Sequence, residues 1–218
     1  MKKSILLTRS IESNEEMKRD LTNVNLEFLD CSIIKHDPLV LDIEYMNKFS
    51  NLIITSNYAA NYLPPSRADI SLWVVGSKSA KILENKGYKI AYCASSALDL
   101  KKHIELRKPQ RMLYLSGDHI TIQMPPYIER IIIYKTKYLE SLSQEQVARY
   151  KAGVDYIILY SENCAKTLLK LLIENNLVKY LEKSTILAIS GKVGNIFRQV
   201  FKNVVICDSS DSILKYII

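Results

Sequence analysis

With 218 residues, 48% apolar and 24% charged, the chain has the make-up of an ordinary globular protein, with room for one large domain or two small ones. Six Gly and six Pro exclude a collagen-like or linker-rich chain. The net charge of +7 points to an acidic partner, either nucleic acid or a polyanionic small molecule, or else to lysines used for solubility.

The first ten residues hold two lysines and then only three consecutive apolar residues, too few for the core of a signal peptide. No apolar run approaches the ~20 residues of a membrane span. A cytoplasmic monomer without membrane contact is expected. The lysines are scattered, with no long basic run and no interleaved aromatic stripe, so nucleic acid is not expected as a partner.

Apolar runs then alternate with amphipathic stretches, the pattern of an α/β protein. Residues 5–8 predict a first strand, 14–23 a helix and 26–34 a second strand. Further strands are predicted at 52–55, 73–75, 89–92, 112–115 and 130–134. Between them, 79–86 reads as a helix stopped by Gly87, and 97–106 as a helix ending before Pro109. The rest reads as helix 144–151, strand 156–160, helix 165–175, strand 185–189, helix 192–201, strand 204–207 and helix 212–218.

The count is near five strands per lobe. Residues 37–135 form one α/β lobe, inserted into another built from residues 1–36 plus 136–218. The chain crosses between them near residues 33–41 and 131–139, where two extended segments side by side would make a ribbon. The expected fold is therefore two flavodoxin-like, doubly wound parallel-sheet lobes, with ligands held beyond the strand C-termini.

The sequence also repeats itself. An apolar run from Leu52 that ends in Thr55-Ser56-Asn57 returns as Ile157-Ile-Leu-Tyr-Ser161. A second unit follows each, with Gly76-Ser77-Lys78-Ser79 after the first and Ser190-Gly191-Lys192 after the second. A strand that stops at such residues and turns into a helix leaves backbone N–H groups free for an anion. Neither Gly76-Ser77-Lys78-Ser79 nor Gly191-Lys192 is a nucleotide motif. The first lacks G-x-G-x-x-G, and the second has Ile186 where a P-loop needs Gly, and Val193 where it needs Ser or Thr. As a plain alternative, Ser77 and Ser79 cap a helix.

Ser56 has no His and acid partner for triad chemistry. Gly117-Asp118 is a further strand-to-loop tip. Arg9 follows the first strand, where a guanidinium suits a carboxylate as well as it suits solvent. Among fourteen tyrosines, Tyr134 ends the strand leading into the second crossing, a place for ligand contact or for packing. Cys31, Cys93, Cys164 and Cys207 lie far apart and read as buried reduced thiols. His36, His103 and His119 share no metal-ligand spacing, so no metal is expected.

Taken in order, these motifs resemble the uroporphyrinogen-III synthase family over nearly the whole chain. The family begins with a strand ending in Thr-Arg, as at Thr8-Arg9. It continues with a strand ending in Thr-Ser before an Ala-bearing helix, as at Thr55-Ser56-Asn57-Tyr58-Ala59. Then come Val75-Gly76-Ser77-Lys78-Ser79-Ala80, the Gly117-Asp118 loop, Ile133-Tyr134-Lys135-Thr136 and Tyr160-Ser161-Glu162. The chain departs from the pattern at Val193, which lacks the usual hydroxyl beside Lys192, and at Glu162, which replaces Pro.

The resemblance implies a lyase without cofactors. It would act on hydroxymethylbilane, removing water, inverting ring D through a spiro intermediate and closing the macrocycle to uroporphyrinogen III. The eight carboxylates of that substrate suit a basic protein, and the role left to the enzyme is chiefly positioning. Tyr134 would be the proton donor to the leaving hydroxyl, since a phenol of pKa about 10 stays protonated at neutral pH. Arg9, Thr55, Ser56, Asn57, Gly76, Ser77, Ser79, Gly117, Asp118, Ser161 and Lys192 would bind substrate. A two-lobed sensor that closes on an anionic ligand without chemistry is the alternative, and a degenerate synthase is another.

Overall fold

The computed structural model describes residues 2–21, 24–66, 69–207 and 210–217. In chain order the elements are β1 (Lys3–Leu7), α1 (Ile11–Asp20), β2 (Leu26–Asp30), β3 (Ile34–Pro38), α2 (Ile43–Met46) and β4 (Asn51–Ile54). These are followed by α3 (Asn57–Tyr62), β5 (Ser71–Val75), α4 (Ser77–Asn85), β6 (Lys89–Ala94), α5 (Ala97–Arg107), β7 (Met112–Gly117) and β8 (Glu129–Tyr138). The last are α6 (Gln144–Lys151), β9 (Tyr156–Leu159), α7 (Glu162–Glu174), β10 (Thr185–Ala188), α8 (Gly191–Arg198), β11 (Val204–Ile206) and α9 (Ser210–Ile217), with a 3-10 turn at Val178–Leu181.

The chain divides into two compact units, Met1–Lys35 with Lys137–Ile218, and His36–Thr136. The first contains a five-stranded sheet in the order β11-β10-β9-β1-β2, and every pairing in it is parallel. Alternate residues along a strand face opposite sides of a sheet, and here both sides are covered. Leu6, Ile157 and Leu159 enter one apolar cluster with Leu168 and Phe197. Ile5, Leu7 and Ile158 enter another with Leu21 and Ile213. Gly194 lets α8 lie close on its sheet, because a Cβ there would meet the Ile206 Cδ1 at 2.4 Å.

The second unit is built on a six-stranded sheet in the order β3-β8-β7-β4-β5-β6. β4, β5, β6, β7 and β8 run parallel. Leu52, Ile54, Leu72, Val74, Leu113 and Leu115 fill one face, and Ile53, Trp73, Met112 and Tyr114 the other. β3 runs against β8: Leu39 N–H donates to the Ile133 carbonyl at 2.9 Å, and Leu139 N–H donates to the Ile33 carbonyl at 2.8 Å. The two extended segments expected from the sequence thus form a two-stranded ribbon.

Three details differ from the sequence reading. The single strand expected at 26–34 is two, because Cys31 and Ile33 turn into the core while their N–H groups donate to Leu7 and Thr8. β3 consequently adds a sixth strand to the second sheet. The short α2 and the 3-10 turn went unread; both are a single turn long, too short for a helical period to show. Residues 22–23 and 218, placed in helices by the sequence reading, lie outside the described residues.

The repeated hydroxyl after the strands has a uniform local job. Ser56, Ser96, Ser161 and Ser190 each accept the backbone N–H three residues on, from Ala59, Asp99, Cys164 and Val193. Each is an N-cap, a contact worth about 1 kcal/mol. At the other end of α3, the Lys86 ammonium donates to the Ala60 carbonyl at 3.0 Å and also to those of Asn61 and Leu63. Burial lowers the Lys86 pKa.

Candidate active site

In the second unit, Thr55, Ser56 and Asn57 follow β4, Gly76, Ser77 and Ser79 follow β5, and Gly117 and Asp118 lie at the end of β7. Tyr134 lies level with Gly117 within β8, which runs on to Tyr138 and does not end at Tyr134 as the sequence suggested. All belong to the C-terminal edge of one parallel sheet. Gly117 and Tyr134 are register partners on adjacent strands. The Tyr134 ring crosses over Gly117 and reaches the strand beyond, where its O–H donates to Ser56 Oγ at 3.0 Å. Glycine makes this possible: a Cβ at 117 would meet Tyr134 Cζ at 2.5 Å and Oη at 2.8 Å.

Tyr134 is only 7% exposed. His36 meets its ring edge-on at 5.1 Å between centroids, and Tyr58 tilts against it at 4.6 Å. Burial pushes the phenol above its ordinary pKa, and the Ser56 bond partly offsets this. The group is therefore held protonated across the physiological range.

The neighbours of Ser56 are fixed in the same manner. Thr55 Oγ1 and Tyr114 Oη share a hydrogen bond of 2.8 Å. Ser79, itself buried, donates its hydroxyl to Asn57 Oδ1 at 2.6 Å. The reading of Ser77 and Ser79 as caps is corrected here. Gly76, with φ of 84°, occupies the N-cap position of α4, and no side chain caps it. Positive φ makes glycine the favoured residue there.

Asp118 Oδ1 accepts the Thr136 N–H at 3.0 Å, and the Asp118 N–H donates to the Tyr134 carbonyl. Arg130 donates through Nε to Ser116 Oγ at 2.7 Å and through Nη2 to the carbonyls of Gly117 and Asp118. Tyr114, Arg130, His36 and Tyr58 were not singled out from sequence. Tyr114 carried a signal, as the one hydroxyl in the apolar run Met112–Leu115.

In the first unit, Arg9, Ser161 and Lys192 follow β1, β9 and β10, again at a sheet's C-terminal edge. The Arg9 guanidinium stacks over the Tyr160 ring at 4.6 Å. Its backbone is set by Asn14, whose Oδ1 accepts the Arg9 N–H at 3.1 Å. Lys192 is exposed at the start of α8. The Glu162 carboxylate bonds Lys166 at 2.9 Å, and its pKa is lowered chiefly by that lysine and also by Lys192.

Among the cysteines, Cys31, Cys164 and Cys207 are buried as expected, whereas Cys93 is exposed. It sits on β6, the edge strand, where alternate side chains face outward. No group of three or more His, Cys, Asp or Glu among the described residues is arranged to hold a metal ion. No helix among them is long and apolar enough to cross a membrane.

A sheet-and-helix unit formed by the middle of the chain, set into the sequence of a second such unit, defines a doubly wound α/β protein of the two-lobed class. Its structure is similar to the uroporphyrinogen-III synthetase of Helicobacter pylori 26695, with a TM-score of 0.64 at 14% identity, covering 99% of this chain and 98% of that one. A mutant uroporphyrinogen III synthase of the extremely thermophilic bacterium Thermus thermophilus has the same fold, with a TM-score of 0.54 at 12% identity over 98% and 97% of the two chains. By sequence, the chain is 36% identical to the uncharacterized protein RP474 of Rickettsia prowazekii (strain Madrid E), over 95% of this chain and 94% of that protein. The model of the family of uroporphyrinogen-III synthase HemD matches residues 15–209. The chain belongs to the uroporphyrinogen-III synthase family, whose role lies in haem biosynthesis.

Proposed function

We propose that this protein is a hydro-lyase that converts hydroxymethylbilane into uroporphyrinogen III. The observation that carries this is the Tyr134–Ser56 hydroxyl pair laid across Gly117 at the tip of a parallel sheet, in a chain of this family. The hydroxyl of the substrate leaves as water, taking one proton, and the terminal ring gives up one proton when the macrocycle closes. No net proton is consumed and no electron acceptor is needed. Loss of the hydroxyl leaves a cation stabilised by the pyrrole, so the demand on the protein is to hold the leaving oxygen and fix the chain ends.

The net charge of +7 favours approach of a substrate with eight carboxylates. Thr55, Ser56, Asn57, Gly76, Ser77, Ser79, Gly117 and Asp118 serve as contacts in the second unit. In the first, Arg9, Ser161 and Lys192 offer the donors a carboxylate needs. Tyr134 bears on the chemical step through its bond to Ser56.

The test is incubation of the purified protein with freshly made hydroxymethylbilane, without metal or nucleotide. The product is oxidised and its isomers are separated by chromatography. Type III isomer is expected in excess over the buffer blank, and type I alone at the blank rate would refute the activity. A subsidiary expectation concerns Ser79→Ala. With its orienting bond lost, the Asn57 amide turns freely, so KM should rise several-fold while kcat stays within about twofold. An unchanged KM would remove Asn57 from substrate binding.

A further inference from the structure

We propose that Ser56 is the group that touches the leaving oxygen, and that Tyr134 is a positioning residue acting through it; this rests on the synthase reading above. A serine hydroxyl has one proton and two acceptor sites. At Ser56 both acceptor sites are taken, one by the Ala59 N–H at 3.1 Å and one by the Tyr134 O–H at 3.0 Å. What remains is the Ser56 proton, which can only be donated, and no protein acceptor among the described residues takes it. Tyr134 stands the other way. Its proton is already given to Ser56, and its ring is enclosed by His36, Tyr58 and Gly117.

For Tyr134 to reach a substrate oxygen it must break that bond and leave its packing. Ser56 needs no movement. It is half-buried at the strand tip, and its oxygen is fixed from two directions. Two donors into one hydroxyl oxygen also polarise its O–H, which strengthens the bond it gives. Ser56 thus offers the leaving oxygen a preorganised hydrogen bond, with no covalent step at the serine.

A double-mutant cycle decides the matter, with kcat, KM, isomer ratio and thermal melts read for wild type, Ser56→Ala, Tyr134→Phe and the double variant. Ser56→Ala should lower kcat by about 10²-fold, the usual cost of one preorganised donor. Tyr134→Phe should lower it about tenfold and raise KM little. In the Ser56→Ala background, Tyr134→Phe should lower kcat no further. Ser56→Thr, which keeps hydroxyl and cap, should recover kcat to within a few-fold of wild type. If loss of the cap lowers the melting temperature, Ser56→Gly, which costs a helix start only a few tenths of a kcal/mol, must give the same fall in kcat.

Equal kcat losses from Tyr134→Phe with and without the Ser56 hydroxyl would overturn the assignment and put Tyr134 on the reacting atoms. So would full kcat in Ser56→Ala. A wild type that yields type I isomer alone refutes the synthase reading itself, and is told apart because no variant is then involved.

Discussion

Gly117→Ala should lower kcat more than Tyr134→Phe does while the protein stays folded. The added Cβ would lie 2.5 Å from Tyr134 Cζ and 2.6 Å from Cε2, inside any real carbon–carbon contact. Neither partner can yield easily. Gly117 is held by its pairing with β8 and by Arg130 on its carbonyl, and the Tyr134 ring is backed by His36 and Tyr58. The ring must rotate off Ser56, and the Tyr134–Ser56 bond goes with it. Overpacking of this kind costs about 1–3 kcal/mol of stability. Phenylalanine at 134 merely omits the hydroxyl; a displaced ring also intrudes on the space beside Ser56. Turnover should therefore fall by about 10²-fold, near the scale of a lost preorganised donor. Turnover and melting temperature measured side by side test this. A variant with wild-type kcat would mean that the ring's placement over Gly117 has no part in the reaction.

The largest loss of stability is expected from Asn14. This side chain is 1% exposed. Its Oδ1 accepts the Arg9 N–H at 3.1 Å, and its two Nδ2 protons are shared among the Leu7 carbonyl, Asp30 Oδ1 and Ser32 Oγ at 3.2, 3.3 and 3.2 Å. Asn14→Ala leaves the Arg9 N–H without its acceptor and takes a donor from three further groups, of which the Leu7 carbonyl keeps the Cys31 N–H and Asp30 keeps Lys18. At about 1–3 kcal/mol for a donor left without a partner, and about 0.5–1.5 kcal/mol for a bond lost by a group that keeps another, a total loss of about 2–4 kcal/mol follows. Asn14→Asp keeps the acceptor for Arg9 but sets a second carboxylate against Asp30. Burial and the like charge raise the folded-state pKa of the new carboxylate above its unfolded value. Its penalty is then full above the folded pKa and vanishes below the unfolded one, near about 4. The Asn14→Asp deficit relative to wild type should shrink as pH falls through that window, and the Asn14→Ala deficit should not. Urea melts across pH measure both, and parallel curves would disprove the charge argument.

The strands and the longer helices were readable because each carries its own period and its own stop. The run Leu52–Ile54 ends at a hydroxyl, and the helix after Ser77 ends at Gly87. What could not be read depends on partners far along the chain. The break between β2 and β3 is set by Thr8 and by β8, a distant strand of the sequence, and by no proline or glycine within the segment. The residues placed after β1, β4, β5, β7, β9 and β10 do follow those strands, since position after a strand is a local property, whereas Tyr134 lies inside β8, which pairing with distant β3 extends to Tyr138. Their bonding is another matter. That Ser79 serves Asn57 and that Tyr134 serves Ser56 follows from strand order, in which β7 separates β8 from β4 and offers a glycine at the crossing point. Order within a sheet leaves little trace in one sequence. Arg130 was missed for the same reason, because its partners Ser116, Gly117 and Asp118 come from the adjacent strand and the loop after it.

Helix α3 spans six residues, too few to persist alone in water. Its first turn hangs from Ser56, and its last carbonyls are gathered by Lys86 at the end of α4. Its two ends thus take their set from a tyrosine on one strand and a lysine after another helix, while its middle is held by buried Ala59 and Ala60 and by the Tyr58 and Tyr62 hydroxyls on the His36 and Leu39 carbonyls. Cutting a tether loosens that end of α3 while both sheets stay intact. Acetylation of the Lys86 amine would do this chemically, removing the charge that gathers the carbonyls. Such a molecule would keep its circular dichroism and most of its melting temperature, yet lose the alignment of its oxygen donor: an inactivation invisible to the usual checks of folding.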